Sequence, residues 1–212
     1  MNRPTRAFRA RRFVLAAGAV LLAGCSVLAP QPDRTRFYVL TATPPAAAAA
    51  SDRLAIGLGP IAMPEYLDHL EVVTRAAPNR LELSPTDRWA ESFDDNVRGV
   101  LARNLSGALP AAHIVDFPWY PTAHLDYEIA VVFERFERSG ANATELAAQW
   151  TIRGGRDRRV LIARQSRFSE SAADGTTEAA AGALSADLGD LSQQIAAAIT
   201  QLNRDHAARA GG

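Results

Sequence analysis

The stretch LDYEIAVVFERFERSGANATELAAQWTIRGGRDRRVLIARQSRF, residues 125–168, decides the fold class. Leu125, Tyr127, Ile129, Val131 and Phe133 alternate with Asp126, Glu128, Ala130, Val132 and Glu134. A period of two is the mark of a strand with one buried face. Phe136 breaks that phase, which predicts a bulge or an exit from the sheet. Ser139-Gly140 turns the chain. Leu146, Ala148, Trp150 and Ile152 then line the core face of a second strand, Gly154-Gly155 turns again, and Val160 to Phe168 returns. The reading is an antiparallel meander of three long strands.

Outward from the meander, shorter strands are expected at Phe37–Leu40, Leu54–Ile61 and Ile114–Phe117. A hairpin pairs Val72–Arg75 with Arg80–Leu83 across a Pro78-Asn79 turn. Pro64 to Asp68 reads as one helical turn. Trp89, Phe93, Val97, Val100, Leu101, Leu105 and Leu109 recur at three- and four-residue steps, one face of a helix that starts at Pro85 or Thr86. Leu184, Leu188, Leu191, Ile195, Ile199 and Leu202 mark a second helix, from about Glu178 to Asn203. The fold class is therefore α+β: a mixed or antiparallel sheet with two amphipathic helices packed on it.

Charge and composition exclude several classes. The 212 residues carry 23 basic and 23 acidic groups, and every basic one is Arg. Five of those arginines precede Phe13, so residues 25–212 hold 18 Arg against 23 acidic residues. A mildly acidic body lacks the basic footprint of a nucleic-acid binder. Without Lys there is no Walker A loop and no Schiff-base chemistry. With Cys25 the sole cysteine, no internal disulfide or Cys-rich metal site can form.

A search for chemistry yields little. His69, His113, His124 and His206 are scattered, none at the i,i+4 spacing of paired helical ligands. No G-x-S-x-G elbow or nucleotide-binding glycine loop occurs. The pairs Asp94-Asp95 and Glu134/Glu137 read as solvated. No catalytic residue, metal site or diffusible cofactor is assigned. Arg153, Arg156, Arg158 and Arg159 flank Gly154-Gly155. They read either as a contact to anionic headgroups or an acidic partner, or as a solvated hairpin end that discourages edge pairing.

The N-terminus reads as an address. Met1 to Arg12 is basic, and Phe13 to Ala23 is an apolar run too short to span a membrane. Leu22-Ala23-Gly24-Cys25 resembles the bacterial lipobox, in which the Cys becomes the N-terminal residue and carries a covalent N-acyl diacylglycerol. Ser26 rather than Asp after Cys25 resembles the pattern sorted to the outer membrane. The expected organisation is a signal peptide over 1–24, a lipidated tether over 25–35, one domain over 36–205 and a disordered tail over 206–212.

Several stretches in this order carry a family resemblance: Arg36-Phe37-Tyr38-Val39-Leu40, Gly57-Leu58-Gly59-Pro60-Ile61, Pro64-Glu65-Tyr66-Leu67-Asp68, Val72-Val73-Thr74-Arg75, Asn79-Arg80-Leu81, Arg88-Trp89-Ala90-Glu91-Ser92-Phe93, Leu101-Ala102-Arg103-Asn104-Leu105, Pro118-Trp119 and Arg135-Phe136-Glu137. Together with the lipobox they resemble the ABC-type transport auxiliary lipoproteins of the PqiC/YmbA kind. His69 stands where the family often has Arg. The resemblance implies a non-catalytic, periplasm-facing lipoprotein at the outer membrane. Its implied partners are an MCE-domain protein and inner-membrane transporter subunits of an intermembrane lipid transport system. A second copy of the chain is a further candidate partner. Tyr66, Leu67, Arg75 and Trp89 are the candidate partner-binding residues, because Tyr, Trp and Arg are the usual interface anchors. Trp89 and Tyr66 also read as core. The competing readings are a lipid carrier with its own cavity and a periplasmic hydrolase.

Overall fold

The structure is a computed structural model that describes residues 32–43, 53–120 and 122–210. Cys25 and the lipobox lie outside the described residues. Residues Thr35–Gly212 form one compact unit. Its strands are β1 (Arg36–Tyr38), β2 (Ala55–Ala62), β3 (Glu71–Ala77), β4 (Arg80–Trp89), β5 (His113–Asp116), β6 (Tyr127–Ser139), β7 (Ala143–Gly154) and β8 (Val160–Phe168). Among the described residues the helices are α1 (Phe93–Ala108) and α2 (Thr177–Ala210), with one 3-10 turn at Glu65–Leu67.

The meander is present as β6, β7 and β8, paired antiparallel. The expected break at Phe136 is a bulge: Phe133 faces Ala148 and Arg135 faces Ala147, leaving Glu134 unmatched. Leu146, Ala148, Trp150 and Ile152 are all buried. The Trp150 indole N–H donates to Ser166 Oγ at 2.9 Å, so the one polar atom of this large core residue is satisfied.

β6 organises everything else. Its second edge is shared by two parallel partners in succession. β2 pairs with Tyr127–Val132, and β3 pairs with Arg138 and Ser139. Between these contacts β2 leaves the edge, the chain makes its 3-10 turn, and β3 takes over. β5 extends the sheet beyond β2, and β4 then β1 extend it beyond β3. β2 is itself irregular between Leu58 and Ile61. Gly59 sits there at φ +128, and a Cβ on it would meet Phe117 Cβ at 2.5 Å, so only glycine suits this bend.

β4 is longer than the sequence pattern suggests. The expected helix start at Pro85 or Thr86 lies inside this strand, which runs to Trp89, and the helix begins only at Phe93, because β1 claims Asp87, Arg88 and Trp89 as parallel partners. The ring spacing misled: Trp89 and Phe93 stack at 4.6 Å across the strand-to-helix corner, so both face one core although only Phe93 is helical. Pro85 lies where β4 bulges against β3, a position that requires no ladder N–H. Ser84 Oγ accepts the Asp87 N–H there at 3.0 Å.

Both helices contribute to one core with the sheet. Val97, Val100, Leu101 and Leu105 of α1 and Leu188, Leu191, Ile195 and Ile199 of α2 are fully buried. Helix α2 continues to Ala210, past the expected end at Asn203, since no Gly or Pro lies between Asn203 and Ala210. Its start is tied to the far end of the sheet. The Thr177 hydroxyl donates to Asp87 Oδ2 at 2.7 Å, and Arg36 Nε donates to Asp87 Oδ1 at 2.8 Å. Burial pushes the Asp87 pKa up, but donors from Thr177, Arg36 and Ser84 outweigh it and hold the carboxyl below its ordinary value.

Candidate functional site

The seam where β3 replaces β2 along β6 brings two of the four candidate residues together. Tyr66 arrives on the 3-10 turn, Arg75 on β3, and both converge on Glu137 of β6. Arg75 Nε donates to Glu137 Oε1 at 2.7 Å, and the Tyr66 hydroxyl donates to Glu137 Oε2 at 2.8 Å. Arg135 Nε adds a donor to Oε1 at 3.0 Å, and the Phe136 backbone N–H adds one to Oε2 at 2.9 Å. The carboxylate thus takes two donors on each oxygen, its full capacity. Arg135 reaches on to Glu145 at 2.6 Å, and the Arg75 guanidinium lies 5.5 Å from the Tyr66 ring centroid.

The sequence pattern reads Glu137 as solvated, whereas its side chain is 0% exposed. The bulge at Glu134 is the cause. It turns Phe136 into the core beside Phe93 and Phe133, and it brings Glu137 under the 3-10 turn. The only trace in the sequence is the phase break itself, next to the quoted Arg135-Phe136-Glu137.

The electrostatics follow from this packing. Burial and the hydrogen bond to Glu137 push the Tyr66 phenol up to about 12, so it stays protonated and donating. The hydrogen bond to Glu137 raises the Arg75 pKa further, against the opposing pull of burial. Glu137 accepts from four donors at once and the Tyr66 hydroxyl is one of them, so both groups are engaged within the network. The arrangement is a buried, satisfied polar network that ties three segments into one register. Arg75 remains partly open to solvent at 18%, and Arg135 and Tyr66 are likewise half-buried.

The other two candidates are inside. Leu67 is 4% exposed and Trp89 5%, both within the main core. They support the seam from below and present almost no surface. His69, next to the 3-10 turn, is exposed. Among the described residues, no group of three or more His, Cys, Asp and Glu could hold a metal. No described helix is long and apolar enough to cross a membrane.

Comparison with known proteins agrees with this architecture. A search of curated proteins finds no match. A crystal structure of an uncharacterized protein aligns with TM-score 0.64 and 19% identity, covering 78% of this chain and 98% of the other. A Xanthomonas campestris protein of family DUF330 aligns with TM-score 0.67 and 17% identity, covering 82% and 99%. These likenesses establish a shared fold. The model of the ABC-type transport auxiliary lipoprotein component family matches residues 38–196, nearly the whole described domain. The chain belongs to the ABC-type transport auxiliary lipoprotein component family.

Proposed function

We propose that this protein is an outer-membrane-anchored periplasmic lipoprotein that docks the partners of an intermembrane lipid transport system and catalyses nothing itself. The observation that carries the reading is family membership across the domain, in a chain whose Leu22-Ala23-Gly24-Cys25 offers an acylation site. The network at the β6 seam supports a binding role, because it holds the partly exposed Arg75 and Tyr66 in fixed positions. Acyl chains on Cys25, at about 0.8 kcal/mol per buried CH2, would hold the domain within a tether length of one leaflet. That confinement raises the local concentration of a second binding site without new contacts.

The partners in this reading are an MCE-domain protein and inner-membrane transporter subunits. Arg75 and Tyr66 contribute the accessible part of the contact, while Leu67 and Trp89 fix its shape. Cys25→Ala tests the anchor: the variant should remain unacylated and fail to stay with the membrane as a mature protein. Acylation of that variant at the level of the parent defeats the assignment. Co-purification of the acylated chain with an MCE-domain protein tests the docking role.

A further inference from the structure

Two features unused by the docking reading meet at one end of the domain. The arginine-rich turn between β7 and β8 and the C-terminal part of α2 border a common pocket of about 360 Å3. That volume falls at the small end of ligand pockets, which span roughly 300–1,000 Å3. Leu54, Tyr127, Leu161 and Leu202 give it apolar walls. Gly155 lets the turn press against the sheet, since a Cβ there would lie 1.9 Å from the Leu125 carbonyl oxygen.

The charged lining is asymmetric in its pairing. Asp126 accepts the Ala55 N–H at 2.9 Å, Asp157 accepts the Arg159 N–H at 3.1 Å, and Asp205 accepts the Gln201 amide at 2.8 Å. Arg156 and Arg209 line the same pocket, and among the described residues neither guanidinium has a hydrogen bond or ion pair. Each comes from a different element, and both are exposed. The three carboxylates keep their charge but each is held by a neutral N–H donor, whereas the two guanidinium groups have no partner among the described residues. Guanidinium forks bind phosphate or carboxylate in bidentate fashion. Apolar walls between them add affinity for methylenes.

We propose that this pocket binds an anionic amphiphile, with a phosphate or carboxylate head on Arg156 and Arg209 and the adjoining methylenes against Leu54, Leu161 and Leu202. Its volume suits a head and the start of a chain, not a whole two-chain lipid. The site is independent of docking at the β6 seam, so either can fail without the other.

The test is native mass spectrometry of the full chain in dodecyl maltoside, with dodecyl phosphate as probe. The expected result is one saturable adduct per chain, bound at least tenfold more tightly than inorganic phosphate. Arg156→Gln with Arg209→Gln should weaken it tenfold or more. Leu161→Asp should weaken it through the wall, and thermal melting checks that both variants fold. Equal binding by the arginine variant and the parent overturns the proposal. Inorganic phosphate binding as tightly as dodecyl phosphate overturns it too, because the site would then take a free anion. Dodecyltrimethylammonium binding as well as dodecyl phosphate would also refute it, as mere detergent partition.

Discussion

Asp187 is a fully buried acid on α2 with one hydrogen bond, from the Thr144 hydroxyl to its Oδ2. Its Oδ1 has no partner. Burial pushes its pKa up from 3.8 to about 6, with Glu170 and Asp190 adding to the rise and Thr144 opposing it. The folded state therefore binds a proton that the unfolded chain releases. Stability from this group is fully present below the unfolded pKa and is lost as pH rises through the folded one. At about 1.36 kcal/mol per pKa unit, the loss is about 3 kcal/mol in all, of which about 2 kcal/mol falls between pH 4.5 and 7.5. Asp187→Asn removes the titration. It also buries an amide N–H where Oδ1 finds no partner, a pH-independent cost of about 1–3 kcal/mol. Urea unfolding of parent and variant at the two pH values separates these effects. Relative to the parent, the variant should gain about 2 kcal/mol on going from pH 4.5 to 7.5. Unfolding curves that keep the same separation at both values refute the reasoning, because a solvated Asp187 would give none of this difference.

Four other perturbations probe different parts of the fold. Glu137→Ala leaves Arg75 without its carboxylate, Arg135 with Glu145 alone and the buried Phe136 N–H without its acceptor, and should cost about 3–5 kcal/mol in denaturant unfolding. Tyr66→Phe keeps the ring and loses one charge-assisted donor, so the expected cost is smaller, about 1.5–3 kcal/mol. Trp89→Ala empties a core site beside Phe93 and should cost about 3–5 kcal/mol by the same assay. Gly155→Ala forces the β7–β8 turn away from the Leu125 carbonyl and should cost about 1–3 kcal/mol, with the amide resonances of Leu125 and Asp126 shifting in NMR spectra.

The sheet's centre was legible because β6 and β7 each bury one face, and burial on one face imposes a period of two on the sequence. The helices were legible for the same reason at a period of 3.6. What the sequence concealed was non-local. Trp89 fits a helical spacing with Phe93, yet β1 holds its backbone as a strand, and the three residues Arg36–Tyr38 decide that pairing. The alternating pattern of β6 showed the phase break at Phe136, but not that the displaced Glu137 would be buried. Its burial depends on Tyr66 and Arg75, which lie 71 and 62 residues away. Tyr66 and Arg75 stand out in the sequence by residue type and meet in space on Glu137. Leu67 and Trp89 lie in the core, since large apolar side chains suit an interior as well as an interface. The pairing of Arg156 with Arg209 around one pocket had no local signal, because only the packing of α2 against the β7–β8 turn brings them together.

The central claim, a lipid-anchored docking subunit, is tested most directly by isolating the tagged, acylated chain from native membranes in mild detergent and identifying what comes with it. The account expects an MCE-domain protein in fixed proportion, lost when Cys25→Ala removes the anchor. Recovery of the acylated chain alone, under conditions that keep MCE-domain assemblies intact, contradicts it.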